Sequence, residues 1–194
     1  MTNNATIAIL AVIAIALVAI GIMFWQRGRM RTDKLRDRFG PEYDRTMSRV
    51  GDQRKAIAIL SERERRVSRY TIRKLDPKMR EHFVATWQKV QAQFVDDPSY
   101  AVMRADDLLG EVMQARGYPV TDFEHAAEDL SVDHPEVVQN YRKGHAIVES
   151  HRRSDATTDE LRAAMIHYRA LFDDLVNEPD AVDLRERRFE SARS

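Results

Sequence analysis

The chain has 194 residues, 43% of them apolar, with 31 Lys and Arg against 31 Asp and Glu and no cysteine. Without cysteine there is no disulfide framework, thiolate nucleophile, thiolate zinc site or iron–sulfur ligation. Seven glycines and six prolines exclude a low-complexity repeat, and 32% charged residues suit long solvated helices.

The first element is apolar on every face. Met1 to Gln26 carries no charged side chain, and within it Ala5 to Trp25 has Thr6 as its one polar side chain. A helix of that length reaches about 31 Å, the thickness of a bilayer's hydrocarbon core. Phe24 and Trp25 fall where an interfacial aromatic belt belongs. A cleavable signal peptide needs a positive start and a small-residue cleavage site. Here the positive charges follow the run instead, as Arg27, Arg29, Arg31, Lys34, Arg36 and Arg38. The expectation is a single-pass anchor over residues 1–26 in the inner (cytoplasmic) membrane. Its N-terminus lies outside, its basic flank faces the lipid headgroups, and the rest is cytoplasmic.

Charge then changes sign along the chain. Residues 27–74 hold 16 basic and 7 acidic side chains, whereas residues 75–180 hold 11 and 21. One reading is a basic helix folded beside an acidic bundle. The other is contact with anionic lipid, where each basic residue near the surface contributes about 1 kcal/mol. Nucleic acid is not an expected partner. The basic block has few aromatics (Phe39, Tyr43, Tyr70), and the acidic part repels phosphates.

Gly40-Pro41 opens the next element. Tyr43, Met47, Val50, Ile57, Leu60 and Val67 form one stripe, which predicts a long helix over 42–73. Its thin seam packs either on the following bundle or on a second copy, as a homo-oligomer. Asp76-Pro77 and Asp97-Pro98 are helix starts, with Asp as cap and Pro at the first helical position. Met79, Phe83, Trp87, Val90 and Phe94 make the richest apolar stripe. Gly117 and Pro119 end the second of these helices. Thr121 with Glu124, and Thr157 with Glu160, fit capping boxes. Asp133-His134-Pro135 reads as a further helix start. The expected fold is all-α: a transmembrane helix, a basic juxtamembrane region with a long helix (27–74), a five-helix acidic bundle (75–178) and a flexible tail (179–194).

The chemistry available is sparse. No HExxH, GxGxxG, Walker loop or GxSxG is present. Asp122, His125 and Asp129 share one helical face and are the nearest approach to a metal site, but a solvated acidic face explains them as well. The pairs Asp96-Asp97, Asp106-Asp107 and Asp173-Asp174 point about 100° apart on a helix and do not converge. No catalytic, cofactor or metal residue is assigned, and no cofactor is expected. An enzyme site, if the bundle assembles one, centres on His145, Glu149 and Tyr141.

The strings FGPEYD (39–44), QFVDDP (93–98), RGYPV (116–120), LSVDHPEVV (130–138) and HYRALFDDLV (167–176) occur together. With them the chain resembles, over most of residues 35–178, a bacterial family built as an N-terminal membrane anchor plus a small helical domain. That family has no established activity, so the resemblance implies architecture and location and carries no catalytic residue across. The functional expectation is a non-catalytic interaction or scaffold module, held at the bilayer and meeting a protein partner. The alternatives are an anionic-lipid-binding surface module and the enzyme around His145.

Overall fold

The computed structural model describes Met23, residues 32–153 and residues 156–177. The apolar run Ala5–Trp25 therefore lies, Met23 apart, outside the described residues, as do Arg27, Arg29, Arg31 and the tail from residue 178. Among the described residues no helix is long and apolar enough to cross a membrane.

All regular structure described is helical. Residues 32–39 form a helical stretch, followed by α1 (Pro41–Val50), α2 (Gln53–Val67), α3 (Pro77–Gln93), α4 (Pro98–Arg116), α5 (Phe123–Asp133), α6 (Val138–Arg153) and α7 (Thr158–Asn177). Five helices thus occupy the stretch where the pattern predicts five.

The long helix expected over 42–73 is a correction, because it is two helices. Gly51 adopts φ 70° and its N–H bonds the Met47 carbonyl, a left-handed cap that ends α1. Asp52 then accepts the Lys55 N–H at 2.9 Å and starts α2. The apolar stripe runs on across this break, which is why periodicity alone joins the two. After α2 the chain turns, and residues 71–76 are non-helical.

The Asp-Pro starts form as expected. Asp76 caps α3 through Met79 N–H, and Asp97 caps α4 through Tyr100 N–H. Thr157 and Glu160 make the reciprocal capping box of α7. Two boundaries move. Asp122, not Thr121, caps α5 by accepting the His125 N–H. His134 closes α5 rather than opening α6, its N–H reaching the Leu130 carbonyl at 2.7 Å, and α6 begins only at Val138.

The main core lies around α7, which packs along α6 and α4 and also touches α3. Trp87 of α3 stacks on Phe172 of α7 with ring centroids 4.6 Å apart. Gly144 sits in the middle of α6, where glycine costs about 1 kcal/mol relative to alanine. The reason is the neighbour: a Cβ there would lie 2.5 Å from the Tyr168 ring. The last carbonyls of α7 have no helical partner. Arginines from other helices satisfy them: Arg116 donates to the Leu175 carbonyl at 2.6 Å and Arg80 to the Val176 carbonyl at 3.3 Å.

A second, smaller apolar cluster joins Leu35, Phe39, Tyr43, Leu60 and Val67 to Val132 of α5. Tyr70 and Ile72 touch both clusters. The seam, with the bundle or a second copy as its expected cover, is thus covered, through Tyr43, Leu60 and Val67, within one chain.

Candidate functional site

Two polar features stand out, one at the α1–α2 seam and one on α6. At the seam, Glu42 is fully buried, one residue into α1. A buried carboxylate costs several kcal/mol unless it is paired and hydrogen-bonded. Arg142 of α6 donates to it at 3.1 Å, Arg63 of α2 at 3.3 Å and Gln139 at 2.6 Å. Arg63, itself buried, also donates to Glu128 at 2.7 Å, and Arg66 donates to Asp129 at 2.7 Å. The Tyr70 hydroxyl reaches the other Asp129 oxygen at 2.9 Å. Burial pulls the Glu128 carboxyl upward, but the Arg63 and Arg66 guanidiniums outweigh it and hold the group below its ordinary range.

The basic helices therefore neutralise the acidic α5, as one sequence reading has it. Glu42 and Arg142 do the reverse: here the basic block supplies the carboxylate and the acidic bundle the guanidinium. The flank divides similarly. Lys34 and Arg36 are exposed, the latter 4.0 Å from Asp44. Arg38 is partly buried. It shares the inward face with Leu35 and Phe39, so its guanidinium donates to Glu64 at 2.5 Å and lies 3.6 Å from Asp133. Arg54, Lys55, Arg65 and Arg69 point outward.

The face suggested for a metal does not assemble. Asp122 is occupied as a cap and by His125 Nδ1 at 2.7 Å, while Asp129 turns inward to Arg66 and Tyr70. Among the described residues no group of His, Asp and Glu could hold a metal ion. Two of the three acidic pairs diverge as expected. Asp173 faces Arg169 and Asp174 faces His134; Asp107 faces Arg104, but Asp106 turns inward toward α6.

That last orientation builds the second feature. His145 Nδ1 lies 3.9 Å from Asp106 Oδ2, and Nε2 lies 4.0 Å from Glu149 Oε1. The imidazole stacks on Phe123 with centroids 3.6 Å apart and planes 7° from parallel. Tyr141 lies behind, its ring centroid 6.5 Å from that of His145. Among the described residues, the Tyr168 hydroxyl, Asp106 Oδ1 and His145 Nδ1 are all buried and make no hydrogen bond of ordinary geometry, although the Tyr168 hydroxyl faces Asp106. Burial pushes both phenols up, and the Asp106 charge adds to it. Outside this nest runs a groove of about 500 Å³ lined by Arg45, Glu124, Arg142, His145 and Glu149 with Phe123.

Comparisons with models of protein families, with curated proteins and with solved structures found no match.

The trio named from sequence is brought near one groove, His145 and Glu149 in its lining and Tyr141 behind them. Glu149 pairs with Arg152 on its own helix, and Tyr141 is buried. The closer partner of His145 is Asp106, which sequence reasoning sets aside as half of an acidic pair. Its spacing holds a usable signal: Val102, Ala105, Leu109 and Val112 define the inward face of α4, and Asp106 sits beside that stripe. Sequence reasoning misses His134 too. It reads as part of a helix start, yet it places Nδ1 2.5 Å from Asp174 and Nε2 3.2 Å from the Tyr118 hydroxyl. That hydroxyl donates to Asp133 at 3.1 Å. A polar chain thus runs from α7 to Asp133 and Arg38.

Proposed function

We propose that the chain is a membrane-tethered, non-catalytic interaction module whose helical domain lies on the cytoplasmic side of the inner membrane. The uncharged run Ala5–Trp25, with basic residues directly behind it, supports the tether and its orientation. The observation that carries the rest is the buried seam of Glu42, Arg63 and Arg142, which fixes the helices nearest the anchor onto the bundle. Tethering raises the effective concentration of such a domain for partners in that layer.

Proximity labelling in cells tests this directly. The anchored chain labels a reproducible set of membrane-adjacent proteins above a bare-anchor control, and a reporter on its C-terminus is active in the cytosol. Labelling no different from the control removes the interaction role. A reporter active only outside the cytosol removes the orientation.

A second reading, an acid–base site on the groove, is favoured by the approach of Asp106 to His145 behind the Phe123 stack. It requires the His145 ring nitrogen to be reachable from the groove. Carbethoxylation of His145 at a rate comparable to that of exposed His125 supports it, and protection of His145 through the whole reaction removes it. The outward Arg54, Lys55, Arg65 and Arg69 likewise favour contact with anionic headgroups, which lowered hydrogen exchange of α2 in anionic against neutral nanodiscs would reveal.

A further inference from the structure

One face of α7 repeats its chemistry symmetrically. Arg162, Met165, Ile166 and Arg169 stand at i, i+3, i+4 and i+7, so they form a single stripe. The two guanidinium-bearing positions are two turns apart, about 10.5 Å along the axis, with the apolar pair between them. Across a shallow groove of about 200 Å³, Gln91 and Phe94 from the end of α3 complete the lining. Ile166 is 64% exposed, and Val95, next to Phe94, is 83% exposed. The Arg162 guanidinium sits 6.0 Å from the Phe94 ring centre.

Single exposed apolar side chains need no explanation. What distinguishes this place is an apolar floor with a cation at each end and no carboxylate in its lining. Arg162 and Arg169 do contact Asp159 and Asp173 on their own helix. Such solvent-exposed pairs contribute little, so a carboxylate arriving from outside replaces them readily. The groove is also smaller than the roughly 300–1,000 Å³ of pockets that enclose small-molecule ligands, and it suits one anchoring side chain.

We infer that this groove docks an acidic amphipathic helix of a partner protein. One apolar side chain of that helix seats between Phe94 and Ile166. Carboxylates one turn to either side meet Arg162 and Arg169, the helix-in-groove mode with charges fixing the register. The inference rests on the interaction-module reading and names the chemistry of its partner.

The test uses the full chain in neutral-lipid nanodiscs and a fluorescein-labelled 15-residue helical peptide. The peptide carries a central Leu and Glu one turn before and after it; a second peptide carries Lys in place of Glu. Anisotropy should show saturable binding of the Glu peptide and at least tenfold weaker binding of the Lys peptide. Ile166→Asp, at an exposed position, should weaken the Glu peptide at least tenfold. The double variant Arg162→Glu/Arg169→Glu should reverse the preference between the two peptides. Equal binding of both peptides, no saturation below millimolar concentration, or indifference to Ile166→Asp overturns the inference. So does a concentration-dependent dimer that Ile166→Asp disperses, because the occupant is then a second copy. Proximity labelling separates the two levels. If wild type labels partners and Ile166→Asp labels the same ones equally, the groove assignment fails while the interaction reading stands.

Discussion

The two halves of the described structure are held together by different physics. The five-helix bundle closes over stacked and aliphatic side chains, with Trp87 on Phe172 at its centre. The α1–α2 pair has only a small apolar cluster of its own and is fastened by Glu42, Arg63, Arg66, Glu128, Asp129 and Arg142. Apolar burial is non-directional and tolerates many replacements of similar volume. A buried carboxylate between guanidiniums adds less net stability but tolerates almost no loss of a partner. The bundle is thus the robust part, and the seam is the part whose geometry is specified residue by residue.

The largest effect should come from the bundle. Trp87→Ala removes the stacked ring and leaves a cavity, which costs about 3–5 kcal/mol. Chemical denaturation should show the whole domain losing stability together. If helix content in the bundle survives while only α1 and α2 melt, the division drawn between the two regions is wrong.

Arg63→Met tests the other side. It strips Glu42 of one guanidinium and Glu128 of another while keeping much of the side-chain volume. Removing one partner of a buried ion pair costs about 3–5 kcal/mol, but here the loss should be confined. Amide exchange should accelerate in α1 and α2 and stay slow in α7. Uniform acceleration across all helices would mean that the seam and bundle fold as one unit. The triple replacement Glu42→Leu/Arg63→Met/Arg142→Met should recover part of the loss, since no buried charge at that contact is then left without its partner.

A smaller effect is expected at Gly144. Its Cβ would fall 2.5 Å from the Tyr168 ring, and overpacking of that kind costs about 1–3 kcal/mol despite the gain in helix propensity. Thermal unfolding of Gly144→Ala measures it. Adding Tyr168→Leu should return most of the loss, and no return would locate the strain elsewhere.

The same contrast decides how far each region is legible in the amino-acid sequence. The bundle is legible because its signals are local. Asp-Pro starts, the Thr157–Glu160 box and the Phe83–Trp87–Val90 stripe each act within a few residues. The seam is not. Glu42 meets Arg142 across 100 positions, and a charged residue in a sequence looks the same whether it faces water or a buried partner. Gly51-Asp52 does carry a stop and a start, yet the apolar stripe continues across them and hides the break. Asp106 is hidden by its neighbour: an adjacent acidic pair reads as surface, although one member faces α6.

The gentlest test separates the regions by pH. Glu128 is held below its ordinary value of 4.5 by Arg63 and Arg66, against the upward pull of its burial. The unfolded chain therefore takes up protons first as pH falls, and stability from this group is complete above about pH 4.5 and is lost below it. Tyr141 and Tyr168 are shifted the opposite way, raised by burial and by Asp106. Their contribution is complete below pH 10, the ordinary phenol value, and is lost as pH rises beyond it. Acid should accordingly loosen α1 and α2 first, and alkali should weaken α6 and α7 and, through Tyr70, whose phenol is raised by burial and by Asp129, the seam as well. Amide exchange mapped at about pH 4 and about pH 10.5, either side of the two ordinary values and corrected for the intrinsic rate, reads both limbs. Glu128→Gln should flatten the acid limb and leave the alkaline one. If that substitution leaves the acid limb unchanged, the proton acts elsewhere in the seam, and the special standing given to Glu128 between its two arginines is lost.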